Sequence, residues 1–262
     1  MKTENRSIDR TSVTEYVEPV INTSACCSTD PGLVRSHNED TCLVNNDTGY
    51  FLVADGMGGA AAGEVASGLF QETVLELFSP DQDRSPESDR NLVMECFQSA
   101  NARILSHVAE VPSCSGMGCT AELFVFHNNR FVLGHVGDSR TYRLSSGSLT
   151  QLTKDHTLVQ AQEEQGLISK EQARTHSMRN IILRVVGSSE GVEVDMIHGT
   201  AIPGDIFLLC TDGLFGMVDD EQIREILSFE GPLPLKATML IDQANHAGGK
   251  DNISVALIEV LS

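Results

Sequence analysis

Two apolar runs of this 262-residue chain end in an aspartate followed by a glycine, Phe51-Leu52-Val53-Ala54-Asp55-Gly56 and Phe207-Leu208-Leu209-Cys210-Thr211-Asp212-Gly213. A third aspartate, Asp251, opens the run Asn252 to Val260, and a fourth, Asp138, sits in Gly137-Asp138-Ser139-Arg140. A carboxylate at the tip of a buried strand is held in one position, and a following glycine lets a backbone carbonyl approach an ion. Oxygen cages of this kind suit hard divalent cations. Any one Asp-Gly pair is first of all a turn signal. The conjunction says more, because Gly32 to Asp40 adds an arginine, Arg35, and two further acids, Glu39 and Asp40, upstream of the rest.

The elements that must position these groups are legible as patterns. Alternating or apolar segments at Thr41–Asn46, Tyr50–Ala54, Cys119–His127, Phe131–Val136, Arg140–Leu144, Val192–Thr200, Ile206–Cys210 and Asn252–Val260 read as strands. His127-Asn128-Asn129-Arg130 and Ser145-Ser146-Gly147 supply turns between neighbours, which makes a meander of antiparallel hairpins. Helical spacing appears over Glu64–Phe78, Glu87–Val108, about Asp219–Ser228 and Leu235–Ala244, with Ser85-Pro86 as a cap for the second. Helices grouped in pairs between blocks of hairpins predict an α+β fold with helix pairs outside stacked antiparallel sheets.

Residues 1–20 are polar and aperiodic and read as a mobile tail or a weakly attached edge strand, with one domain over 21–262. His156–Arg179 is too polar for core and reads as a surface excursion near the active face.

The formal net charge of −19 argues against nonspecific nucleic-acid binding and against adhesion to an anionic membrane. No apolar stretch is long enough to span a bilayer, and the polar start lacks the apolar core of a secretion signal, so a soluble cytoplasmic protein is expected. The seven cysteines show no Cys-x-x-Cys pair and no zinc spacing. They read as reduced and structural, with Cys26-Cys27 the pair open to oxidation.

In this order, the acidic blocks resemble those of the PP2C-type metal-dependent protein serine/threonine phosphatases, in their bacterial form, over roughly Thr29 to Val260. The resemblance implies a four-layer αββα sandwich with a two-metal centre in a cleft at one end of the sheets. It implies that Asp55 bridges two Mn²⁺ or Mg²⁺ ions and that Gly56 lends its carbonyl to one of them. Asp212 and Asp251 match ligands of the other ion. Glu39 and Asp40 match groups that hold the second ion directly or through water. Asp138 matches the acid of a third, weaker site, and Asn252 a supporting residue behind the ligands.

Paired cations acidify a shared water, and the resulting hydroxide would attack phosphorus in line without a covalent intermediate. Arg35 carries a planar fork suited to two phosphate oxygens, against the plainer reading of an ion pair with Glu39 or Asp40. Met57 stands where eukaryotic relatives carry a histidine proposed as general acid. The leaving oxygen must then take its proton from a metal-bound water organised by Asp138, or from His37, His135 or His176, each of which also reads as a structural histidine. The excursion matches the family's substrate-bordering flap.

The implied partners are phosphorylated proteins, among them a cognate serine/threonine kinase, met by a monomer. Two other readings stand beside this one. Gly56-Met57-Gly58-Gly59-Ala60-Ala61 imitates a dinucleotide fingerprint, although a carboxylate at Asp55 would lie against the pyrophosphate. A catalytically dead relative kept as a phosphoprotein-binding scaffold would be expected to have lost ligands, and every matched acid is present.

Overall fold

The structure, a computed structural model, describes residues 22–58, 62–78 and 84–261. The expected tail over 1–20 lies outside the described residues, as does Gly59. The first sheet to form a hairpin contains β2 (Asp40–Asn45), β3 (Tyr50–Met57), β5 (Ala121–His127), β6 (Arg130–Val136) and β9 (Asp195–Thr200), in that order, with the short β4 (Gly118–Cys119) also paired to β3. The second runs β1 (Thr23–Asp30), β11 (Ile253–Val260), β10 (Ile206–Cys210), β7 (Arg140–Ser145) and β8 (Ser148–Gln151). Every ladder among these strands is antiparallel. The strand-helix-strand crossover that a dinucleotide fingerprint requires is therefore not built around Gly56.

Period-two alternation assigns the layers. In β3, Phe51 and Val53 face the second sheet, while Tyr50, Leu52 and Ala54 face α1 (Ala62–Leu77) and α2 (Pro86–Glu110). In β10, Phe207 and Leu209 face the first sheet, while Leu208 and Cys210 face α6 (Asp220–Ser228) and α7 (Leu233–His246). Both faces of both sheets are covered, so these strands read as continuous apolar runs instead of alternating ones. The middle layer centres on Phe124, stacked on Phe131 at 5.1 Å between ring centroids and tilted 47° against Phe207 at 4.8 Å. Each such ring, taken out of water, contributes about 1.5–3 kcal/mol. This is the expected αββα sandwich.

Helix α2 starts as its sequence predicts. The Ser85 hydroxyl accepts a hydrogen bond from the Ser88 amide at 3.1 Å, the Ser88 hydroxyl accepts one from the Ser85 amide at 2.7 Å, and Pro86 occupies the first turn. The β7–β8 hairpin turns through Ser146 (φ 49°) and Gly147 (φ 78°), two left-handed residues in a row as its tight turn demands.

The structure departs from expectation in six places. Strands β1 and β8 were not expected; both are sheet edges paired on one side, and their small polar residues carry little apolar signal. The single strand expected over Cys119–His127 is divided at Thr120, whose amide and hydroxyl both turn to the Asp55 backbone, at 2.9 and 3.1 Å. The Asp212-Gly213 turn opens a one-turn helix, α5 (Asp212–Phe215). The polar excursion holds two short capped helices, α3 (Leu158–Glu164) and α4 (Lys170–Thr175), in which Val159 and Ala173 are the buried residues. The strand expected over Val192–Thr200 begins only at Asp195.

Candidate active site

Ladder register gathers the acids at one end of the sandwich. In the first sheet Asp40 pairs with Asp55, one residue before Gly56. Ala121 pairs with Val136, which places Gly137-Asp138 just beyond the same edge. In the second sheet Cys210, two residues before Asp212, pairs with Val255 on one side and Arg140 on the other. Asp30 pairs with Ile253, two residues after Asp251. Asp55 continues the inward row Phe51, Val53, and Asp40 continues the row Val44, Cys42. Both carboxylates therefore point between the sheets.

Close backbone packing holds this end together. The Gly56 amide donates to the Glu39 carbonyl at 3.1 Å. Helix α1 backs onto the same spot, since a Cβ at Gly63 would stand 2.6 Å from the Gly56 carbonyl oxygen and 2.7 Å from Glu39 Oε2. The Thr120 and Ser139 hydroxyls share a 2.6 Å hydrogen bond, which ties the Asp55 segment to the Asp138 turn. Between the sheets the Thr211 hydroxyl donates to Asp40 Oδ2 at 2.8 Å and accepts the Ser254 amide at 3.0 Å.

The electrostatics are those of crowded acids short of positive charge. Burial, then the neighbouring acids, drives Asp55 well above the ordinary carboxylate range. Burial likewise lifts Asp40 to about 7 and Asp138 to about 8. Asp212 rises to about 6 from burial and from Asp251 beside it. Asp40 Oδ1 and Asp212 Oδ1 are buried and accept no hydrogen bond among the described residues. An acceptor stranded in this way costs about 1–3 kcal/mol, and more when charged. A hard cation is the partner that such oxygens fit.

Among the described residues, no three acid, imidazole or thiol side chains stand close enough together to form a finished cation cage. The acids share one end of the sandwich and repel one another. The donor set suits divalent metal in its chemistry.

The segment between β1 and β2 is laid down by Asn252. Its side-chain oxygen accepts the Glu39 amide at 2.9 Å, and its side-chain nitrogen donates to the carbonyls of Pro31 (3.0 Å) and His37 (2.8 Å). Arg35 pairs with Asp251 at 2.7 Å, not with Glu39 or Asp40. Its side chain is 54% exposed, and Leu33 and Val34 beside it are 69% and 67% exposed, so guanidinium and apolar rim face outward together.

Several residues that sequence reasoning passed over support Asp138. Arg140 lays its fork on Asp155, with Nε at 2.9 Å and Nη2 at 2.7 Å, and stacks 3.8 Å above the Phe215 ring. The His156 amide donates to the Gly137 carbonyl at 2.7 Å, and the Gly137 amide donates back to His156 Nδ1 at 3.1 Å. His156 thus pins the turn that carries Asp138 and also roots the excursion, whose stem closes where Leu183 donates to the His156 carbonyl at 2.7 Å. The run Asp155-His156 was the available signal, but nothing in the sequence says that Gly137 lies opposite.

Of the candidate histidines, His135 is fully buried, paired with Glu122 and bonded to the Lys154 carbonyl at 2.8 Å. Burial opposes a charged imidazole, but Glu122 and the Lys154 carbonyl outweigh it and push His135 up to about 9, while burial also raises Glu122. His135 is structural. His176 accepts the Met178 amide at 3.2 Å within its own turn.

A family model described as Protein phosphatase 2C matches residues 34–251. The serine/threonine protein phosphatase PstP of Mycobacterium tuberculosis is 39% identical over 233 residues, covering 88% of this chain and 44% of that protein. This chain thus spans less than half the length of that relative. The serine/threonine phosphatase stp of Listeria monocytogenes is 38% identical over 235 residues, covering 88% of this chain and 93% of that one. The solved structure of the PstP catalytic domain in complex with two manganese ions superposes with a TM-score of 0.85 at 36% identity, covering 92% of this chain and 100% of that one. With its acids set at one end of an αββα sandwich and matches of this extent, the chain belongs to the Protein phosphatase 2C family.

Proposed function

We propose that this chain hydrolyses phosphoserine and phosphothreonine in proteins with the help of bound Mn²⁺ or Mg²⁺. The observation that carries the reading is the pair of stranded, buried oxygens, Asp40 Oδ1 and Asp212 Oδ1, at the sheet end where Asp55 and Asp138 also lie and where Arg35 faces out. Asp55 would be shared by two ions, the Gly56 carbonyl would serve one of them, Asp212 and Asp251 would hold the other, and Glu39 and Asp40 would serve the second ion directly or through water. Asp138 would hold a third, weaker ion. Bound there, divalent ions supply the Lewis acidity that makes water nucleophilic near neutral pH.

The chain's own residues do the rest. Arg35 holds the phosphoryl oxygens while charge spreads over them, turning from or sharing Asp251 as it does so. Asn252 fixes the segment that carries Arg35 and Glu39. Asp138 orients the water that gives a proton to the leaving serine or threonine oxygen, which Met57 cannot do. The excursion at 156–179 borders the cleft and tunes substrate choice and product release. The substrates are phosphoproteins with basic or flexible phosphosites, including an opposing serine/threonine kinase, met by a monomer.

The purified chain should hydrolyse p-nitrophenyl phosphate and phosphothreonine peptides in Mn²⁺, and a chelator should abolish this. Asp212→Asn deletes a charged donor at constant volume; kcat should fall by about 100-fold or more with the fold unchanged by circular dichroism. Inert wild-type protein in excess Mn²⁺ would favour a binding scaffold instead. Full activity in the variant would show Asp212 to be misassigned.

A further inference from the structure

Strands β1 and β2 are edge strands of different sheets, and they meet at one corner of the sandwich. Their Cα atoms come within 8 Å of each other, nearer than the roughly 10 Å between stacked sheets. On β1 the inward residues are Ala25 and Cys27, level with Ile258 and Ala256 of the middle layer. On β2 they are Cys42 and Val44, level with Val53 and Phe51. The two thiols therefore face the same layer from the two strands that meet at this corner. Both residues are half-buried. Cys26 points the opposite way, into the layer beneath α7. Cys96, Cys119 and Cys210 are buried in the helix-facing layers.

We propose that Cys27 and Cys42 form a reversible disulfide, made by exchange with a low-molecular-weight disulfide such as oxidised glutathione. The Cys27 thiolate attacks one glutathione sulfur, forming a mixed disulfide and expelling one glutathione thiolate. The Cys42 thiolate then attacks Cys27 Sγ and expels the second glutathione. The two protons that leave the protein thiols end on the two glutathione thiols. The protein dithiol is thereby oxidised by two electrons, and the small disulfide is reduced. The bond joins two sheets that no backbone ladder joins. It also closes the loop that carries Arg35, Glu39 and Asp40, so oxidation clamps that segment at both ends.

The test treats the full native chain with oxidised glutathione, without metal, blocks free thiols and maps peptides by mass spectrometry. The expected product has lost two hydrogen atoms, joins the Cys27 peptide to the Cys42 peptide and reverts with dithiothreitol. Its thermal midpoint should rise by several degrees, because the bridge restricts the unfolded chain. Cys26→Ser should form the same bridge, whereas Cys42→Ser should stop at a glutathione adduct on Cys27, with circular dichroism confirming that both variants fold. A Cys26–Cys27 bond, adducts alone in the wild-type chain, or a bridge formed only in denaturant would overturn the proposal.

Discussion

If Arg35 binds the substrate phosphate as proposed, one side chain couples phosphate binding to the acid cluster. Its guanidinium rests on Asp251 and stands beside two exposed apolar residues, so an incoming phosphoryl group must compete with a carboxylate for the same planar fork. A lysine keeps the charge and loses the fork. Arg35→Lys should therefore raise KM for a phosphothreonine peptide and lower kcat/KM by about tenfold or more, with Mn²⁺ affinity little changed. Unchanged kcat/KM would mean that Arg35 serves only as an ion pair. At this scale the ligand candidates were legible because Asp-Gly at a strand tip is a local pattern. The supports were not. Thr211 reaching Asp40, Thr120 holding the Asp55 backbone and His156 gripping Gly137 are contacts between remote segments, carried by residues whose types are unremarkable alone.

Among the elements, the apolar strands and the four long helices declared themselves, since burial on a sheet face or helix stripe imposes its period on the sequence. Edge strands escape this logic. β1 and β8 need match the core on one side only, and their serines and threonines look like loop. The helices of the excursion escaped for a related reason: capping by Thr157 and Ser169 holds them with little apolar surface. The excursion's stem is independent of its helices, because Thr157 bridges to Ile182 and His156 bonds Leu183. Replacing 158–181 by a short turn should spare the sandwich. Activity toward p-nitrophenyl phosphate should stay within about twofold, while kcat/KM for a phosphothreonine peptide shifts by about tenfold. Equal effects on both substrates would remove the excursion from substrate choice.

Over the whole molecule, the clustered acids make stability depend on pH and metal together. Asp212, Asp40 and Asp138 hold their protons up to about 6, 7 and 8 in the folded chain, above the ordinary value near 3.8. The folded state thus binds more protons than the unfolded one across that interval, and stability falls as pH rises through it. In chelator, the thermal midpoint should decline from about pH 5 to pH 8. In Mn²⁺ the decline should flatten or reverse, since cations favour the ionised acids and their binding releases protons. A flat profile in chelator would mean that these acids are not strained.

The most direct measurement is anomalous diffraction from a crystal grown with Mn²⁺. Manganese peaks should lie at the end of the sandwich, between Asp55 and the Gly56 carbonyl on one sheet and Asp212 and Asp251 on the other. Peaks elsewhere, or none there at saturating Mn²⁺, would contradict the account.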